Sequence, residues 1–258
     1  MSWEMVDEGW GRKAVDFATI AEPSSVREYV FMHTHLGLGP PHRVLDVACG
    51  SGLAIELGRM RGARCDGIDA SQRLVAVARH RNPDSEIHVG DMHDLPWADD
   101  TFDIVTSFRG IWGTTPAAMK EIRRVLKPGG RFSMTVWGDV KKSQAAWMFT
   151  PFRWAADDKV DHQATMVSLG RPGVGVEFLR AAGFEPEERF LVPFVMEYAD
   201  PEMYARGIAS TGPAYESMQN IGEEEFLRRA AALASEHAVD GVPIRGEVQL
   251  FGFVGTKP

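Results

Sequence analysis

The chain has 258 residues, 44% hydrophobic and 25% charged, a globular composition that excludes extended disorder and a length that holds one large domain or two small ones. A net charge of −8 leaves no overall excess of Lys and Arg to neutralise nucleic-acid phosphates, and two cysteines, Cys49 and Cys65, cannot build a disulfide framework or a zinc-ligand set. No apolar run approaches the ~18–20 residues of a bilayer span, and the start, with Glu4, Asp7 and Glu8, lacks the basic region and apolar core of a secretory signal; the expectation is a cytoplasmic protein.

Residues 1–39 read as a helical arm. Ala14, Phe17 and Ala18 share one helical face, and Val26, Val30 and Phe31 share another. Pro23-Ser24-Ser25 separates the two and is suited to cap the second. Strands and helices then alternate. Strands are predicted at Arg43–Val47, Cys65–Ile68, Glu86–Val89, Phe102–Ser107 and Arg131–Trp137. Between them fall a glycine turn leading into a helix at 53–60, a helix beginning near Arg73, and an amphipathic helix at 116–126 stopped by Lys127-Pro128-Gly129-Gly130. Strands joined through helices imply crossovers, hence a mostly parallel sheet with helices on both faces.

The alternation is interrupted twice, at 139–173 and 199–245. The first insertion carries Trp147, Phe149, Phe152 and Trp154 within eight residues. A helix at 174–182, a strand near Arg189–Met196 and a last strand at Glu247–Gly255 complete the pattern. If those last two strands pair as a hairpin, the second insertion is its loop. The predicted architecture is a single domain with core segments 40–138, 174–198 and 246–258.

The first strand ends in a carboxylate, Asp46, followed by the small-residue turn Ala48-Cys49-Gly50-Ser51-Gly52. Glycine lets the chain turn tightly and lets a ligand approach the backbone. The second strand ends at Asp69, placed to accept hydrogen bonds from ribose hydroxyls; Asp69 and Ser71 are also good helix N-caps. A dinucleotide site usually has a third glycine three residues past the second. Here Ile55 stands there, where it would crowd a pyrophosphate, and Asp46 suits a cationic ligand better than a diphosphate.

With these residues the chain resembles class I S-adenosylmethionine-dependent methyltransferases, of the seven-stranded Rossmann-like type, and within them the small-molecule and ubiquinone/menaquinone-type branch. Asp46 to Gly52 matches the family's first motif, with Ala48 where glycine is frequent. Asp69-Ala70 matches the acid after the second strand, and Val89-Gly90-Asp91-Met92 matches the motif that sets an acid and an apolar residue against adenine. Glu121 to Gly130 matches the segment before the fifth strand, so the likeness covers roughly residues 40–138. Ser107 and Phe108 fall where the family touches the methionine part of the cofactor.

The resemblance implies a three-layer α/β/α fold with a mostly parallel seven-stranded sheet and an antiparallel last strand, carrying helical insertions. It implies S-adenosylmethionine as cofactor, bound by Asp46, Ala48, Gly50, Ser51, Gly52, Asp69, Ala70, Asp91, Met92, Ser107 and Phe108. Methyl transfer is then an in-line displacement to a small, largely apolar acceptor, a secondary metabolite or quinone-like compound, with the two insertions as lids. A homo-oligomer is compatible with this reading. The alternatives are a non-catalytic cofactor-binding protein, which no residue excludes, and a nicotinamide-dependent oxidoreductase, disfavoured by Ile55. No catalytic base is assigned. His162, in the first insertion, and His93, after the adenine motif, are candidates only, as are Tyr198, Tyr204 and Tyr215. Asp139 beside Lys141 and Lys142 is a poor cage for a hard cation, so no metal is expected.

Overall fold

The computed structural model describes residues 6–111, 116–154 and 167–258. Its main sheet is built from β1 (Arg43–Val47), β2 (Arg64–Asp69), β3 (Ile87–Val89), β4 (Phe102–Phe108) and β5 (Leu126–Trp137), closed by β6 (Glu185–Pro186), β7 (Phe190–Val192) and β10 (Leu250–Thr256). The order is β3-β2-β1-β4-β5-β10, with β6 and β7 both lying along the far edge of β10. The first five strands are mutually parallel, and β10 runs antiparallel to β5. The sheet therefore has seven positions, the seventh split into two short strands. A separate two-stranded sheet pairs β8 (Val195–Tyr198) with β9 (Ile244–Glu247).

Parallel strands covered on both faces must be apolar on both sides. In β1, Val44 enters one core cluster while Leu45 and Val47 enter the other. In β4, Ile104 and Val105 divide the same way. Helices Val26–His35, Leu53–Met60 and Gln72–Arg81 contribute to the first cluster, and helices Pro116–Val125 and Val174–Ala181 to the second. The result is the expected three layers.

Helices Pro201–Ala209, Gly212–Ile221 and Glu223–Ser235 occupy the second insertion and bury Tyr204 and Phe226 completely in the first cluster. The first insertion buries Met148 and Phe152 and rests Trp147, Phe149 and Trp154, partly buried, on the same cluster. Apart from Leu169, which enters the second cluster, the described parts of both insertions thus extend the core on the face that also carries the N-terminal arm.

Four local expectations are corrected. The face Val26, Val30 and Phe31 of the arm helix is the exposed one; Glu28, Tyr29, Met32 and His33 are buried instead. Ser25 makes no side-chain cap, because its hydroxyl accepts from Arg109. Lys127-Pro128-Gly129-Gly130 does not separate helix from strand: β5 begins at Leu126, and this stretch pairs with the chain end through Gly129 N–H to Lys257 O and Lys257 N–H to Gly130 O, both 2.8 Å. The single strand expected at 189–196 is broken at Pro193, which has no N–H to give a ladder. One half pairs with β10 and the other with β9, so the expected hairpin exists in two pieces with the second insertion between β8 and β9.

Candidate functional site

In an open α/β sheet, ligands bind outside the carboxyl ends of the strands, where the strand order reverses. That point lies between β1 and β4. The turn after β1 adopts positive φ at Ala48 (60°), Gly50 (56°) and Gly52 (79°). A Cβ on Gly52 would come within 2.8 Å of Asn82 Nδ2 and 2.9 Å of the Ala78 methyl, so this position requires glycine twice over. Ala48 holds its left-handed conformation with a side chain, at a cost of about 1–2 kcal/mol.

Asp69 organises the turn. One carboxylate oxygen accepts from Gly50 N–H and the other from Ser71 N–H, each at 2.8 Å. Ser71, not Asp69, caps the following helix by accepting from Leu74 N–H at 3.1 Å. Burial pushes the Asp69 carboxyl upward despite these two bonds. Asp46 is 4% exposed and accepts from the Thr106 hydroxyl of β4 at 2.7 Å. Burial, helped by the charges of Glu22 and Asp69, pushes its pKa up to about 8. Gly90 N–H donates to Asp69 O at 3.0 Å, which ties the segment carrying Asp91 and Met92 to the end of β2. The predicted residues from Asp46 to Phe108 therefore line one continuous edge, at the ends of β3, β2, β1 and β4.

Ile55 does not crowd this edge. Its Cδ1 lies 2.5 Å from where a Cβ on Gly67 would stand, so the side chain points down to the sheet. The close helix–strand packing that a third glycine would allow is obtained here from glycine on β2.

Two candidates fare differently. His93 is half exposed, with Nδ1 2.6 Å from Asp91 Oδ1, and it is engaged by that acid. His162 lies outside the described residues. Tyr198 and Tyr204 are buried, and the Tyr204 hydroxyl donates to Met148 O at 3.0 Å. Among the described residues, no group of three or more His, Cys, Asp or Glu is placed to hold a metal ion, and no helix is long and apolar enough to cross a membrane.

Sequence reasoning missed the arm's contribution. Glu22, 2% exposed, accepts from the Ser51 hydroxyl of the glycine turn and from Arg81 Nη1 at 2.8 Å. Arg81 also donates to Ser51 O at 3.0 Å and to Ala18 O at 3.3 Å. Burial raises the Glu22 carboxyl, opposed by Ser51 and Arg81. Asp7 accepts from the Ser71 hydroxyl at 2.5 Å and from Arg73 N–H at 3.1 Å. The arm is therefore fastened over the turn by charged hydrogen bonds, which apolar periodicity does not register.

A second buried pair lies beyond the end of β4. Arg109 has φ 58°, an uncommon conformation for a side-chain-bearing residue. Its guanidinium donates to Glu28 Oε1 at 3.3 Å and to the Ser25 hydroxyl at 2.6 Å. It packs 5.3 Å from the Trp137 ring centre and 5.0 Å from that of Phe194.

Residues 45–134 match the family described as a methyltransferase domain. The demethylmenaquinone methyltransferase of Chlorobaculum parvum is 41% identical over 91 residues, which is 34% of this chain and 38% of that protein. The malonyl-[acyl-carrier protein] O-methyltransferase of Erwinia pyrifoliae is 36% identical over 117 residues, 44% of this chain and 45% of that one. The matches thus span about two fifths of the length of these curated relatives. Among solved structures, the [4+2]-cyclase SpnF superposes with a TM-score of 0.66 at 19% identity, over 100% of this chain and 97% of its own. The geranyl diphosphate C-methyltransferase of Streptomyces coelicolor, bound to S-adenosyl-L-homocysteine, superposes with 0.52 at 16% identity, over 89% and 75%. These likenesses establish the Rossmann-like fold.

Proposed function

We propose that the chain is an S-adenosylmethionine-dependent methyltransferase acting on a small, largely apolar acceptor. The observation that carries this reading is the convergence of Asp46, the turn 48–52 and Asp69 at the switch point of a methyltransferase core. Because a cyclase shares the fold along the whole chain, fold alone does not establish methyl transfer, and the argument rests on the residues.

They fit the cofactor. An ionised carboxylate offers about four acceptor sites; Asp69 uses one on each oxygen for the turn, which leaves room for ribose hydroxyls. Asp46 and Glu22, carboxyl groups raised by burial, gain by the approach of a cation. Asp91 and Met92 are assigned to the adenine, and Ser107 and Phe108 to the methionine part. The Ser107 hydroxyl is buried without a hydrogen-bond partner among the described residues, as a group awaiting a polar ligand atom would be. The cofactor supplies a methyl group made electrophilic by its sulfonium.

The chain's own part is alignment and exclusion of water, which strengthens fixed charges near the reacting atoms. The arm and the insertions 139–173 and 199–245 serve as the lids. Phe149 meets Trp137 edge-on at 5.6 Å, and Trp137 meets Phe194 at 5.1 Å. This aromatic wall beside Arg109 supports an apolar acceptor, in keeping with the quinone-like substrate in the name of one relative.

Calorimetry with S-adenosylmethionine, S-adenosylhomocysteine and NAD tests the reading. Binding of the first two without NAD is expected; NAD binding without either of the others would sink it in favour of an oxidoreductase.

A further inference from the structure

Glu28 is 0% exposed, and a carboxyl group in that setting needs a reason. Oε1 accepts from the Thr135 hydroxyl and from Arg109 Nε. Oε2 lies 3.1 Å from Arg109 Nη2 but out of line for a hydrogen bond, and it has no hydrogen-bond partner among the described residues. The pair stands at the carboxyl ends of β4 and β5, where Arg109 N–H donates to Thr135 O at 3.0 Å. On its outer side are the Trp137 and Phe194 rings. On its inner side Tyr29 packs on Phe108 at 4.7 Å, next to the proposed place of the cofactor's methionine part. A purely structural ion pair is stable only when its remaining acceptor positions are filled; here one oxygen is left over.

We propose that Glu28 and Arg109 handle the acceptor: Glu28 removes the proton of an acidic hydroxyl, phenolic or enolic, and Arg109 holds the oxyanion that results. This rests on the methyl-transfer reading and specifies the acceptor's reacting group. In the step, the acceptor O–H bond breaks, its proton passes to Glu28 Oε2, and the bonding electron pair stays on the acceptor oxygen beside the guanidinium. The cluster's net charge is unchanged, since one anion replaces another next to one cation, so no buried charge is left unmatched. The groups that face Glu28 are Arg109 from just past β4, Thr135 from β5, Tyr29 from its own helix, and Asp46 across the site. Burial raises the Glu28 carboxyl, opposed by Arg109 and Thr135, which makes it a better proton acceptor than an exposed glutamate. Glu28 is enclosed, so entry of the acceptor displaces the arm segment that precedes it.

The test uses 4-nitrophenol, whose phenolate absorbs at longer wavelength than the phenol, with the full chain and S-adenosylhomocysteine, about one pH unit below the probe's own pKa. Wild-type protein is expected to bind it as phenolate, raising the ionised ratio about tenfold or more. Calorimetry in two buffers of different ionisation enthalpy is expected to show no proton released to solvent. Glu28→Gln should bind the probe un-ionised, Glu28→Asp should restore part of the phenolate signal, and Arg109→Met should abolish it. A merely structural pair would move melting temperature and not the ionisation of a bound probe. The proposal is overturned if the wild type binds the phenol un-ionised or not at all, or if Glu28→Gln ionises it equally. S-adenosylhomocysteine affinity, measured in the same samples, separates the two readings. If it is retained while the probe fails, only this pair is refuted; if the wild type lacks it, the methyl-transfer reading falls.

Discussion

The proposed role of Asp46 predicts that binding of a cationic cofactor depends on pH in a calculable way. With its pKa pushed up to about 8 by burial, roughly nine-tenths of Asp46 is protonated at pH 7 in the free protein. A cation bound beside it favours the carboxylate, so binding expels that proton. Affinity should rise nearly tenfold per pH unit between 6 and 7 and level off above 8, a gain of roughly a hundredfold from pH 6 to pH 9. Asp46→Asn removes the proton and with it this dependence. The amino group of S-adenosylmethionine titrates in the same window, but it does so equally with both proteins and cancels in the ratio of their dissociation constants. The assay is calorimetry of wild type and Asp46→Asn at four pH values. The same group sets the stability of the free protein. Its folded pKa lies above its ordinary value of 3.8, so its favourable contribution is complete below pH ~4 and is lost as pH rises through about 8. Asp46→Asn should flatten that decline. A ratio of affinities that stays constant with pH would refute the assignment of Asp46 as the group that answers the cofactor's charge.

Asp69→Ala should weaken cofactor binding by about 1.5–3 kcal/mol per charged hydrogen bond lost. It should also lower the melting temperature, since Gly50 and Ser71 N–H lose their acceptor; unchanged affinity in calorimetry would reduce Asp69 to a brace for the turn. Arg81→Ala leaves Glu22 buried without its cation, a loss of ~3–5 kcal/mol. At ~2–4 °C per kcal/mol, a thermal melt should fall by roughly 6–20 °C at pH 8 and by less as the pH is lowered, because burial raises the Glu22 carboxyl and favours its neutral form. Phe152→Ala should lower stability by ~3–5 kcal/mol in denaturant unfolding, the usual result of emptying a buried aromatic site. Phe149→Ala, at the wall beside Trp137, should instead reduce methyl transfer more than it lowers stability, and equal stability losses in the two variants would make the first insertion core rather than lid.

Much of the fold was legible because its signals are local. A buried parallel strand is an apolar run whichever sheet it joins, and a tight turn asks for small residues whatever the ligand; hence β1, β2, β4 and the turn 48–52 stand where expected. The arm helix failed for the opposite reason. Its buried face carries Glu28 and His33, and Glu28 is tolerable inside only because Arg109, 81 residues further on, meets it there. Apolar periodicity assigns charge to the outside and so groups Val26, Val30 and Phe31 on one face, which the structure leaves exposed. An available signal was the pair of isolated opposite charges, Glu28 beside Tyr29 and Arg109 directly after a buried strand, each within an otherwise apolar context. The break at Pro193 was equally visible, as a residue unable to donate within a predicted strand. The start of β5 at Leu126 was not, because it depends on pairing with Phe102 of β4 and, at Gly129 and Gly130, with Lys257 at the far end of the chain.

The arrangement of charge at the site bears on how ligand and fold are coupled. Glu22, Glu28, Asp46 and Asp69 are all buried, and burial raises the pKa of each. Two guanidinium groups, those of Arg81 and Arg109, pair with the two glutamates that belong to the arm. Among the described residues, the two aspartates at the site are met by neutral donors only, Thr106 for Asp46 and backbone N–H groups for Asp69. The arm therefore arrives with its charges compensated, while the strand ends keep carboxyls that favour either a proton or a cation. A ligand bringing positive charge to the strand ends relieves a cost that folding alone leaves in place. Such a ligand stabilises the chain by mass action, and the relief at Asp46 adds to its affinity as the pH rises. In the proposed reading the two devices divide the work: the arm's ion pairs would close the site, and Asp46 and Asp69 would select what is closed in.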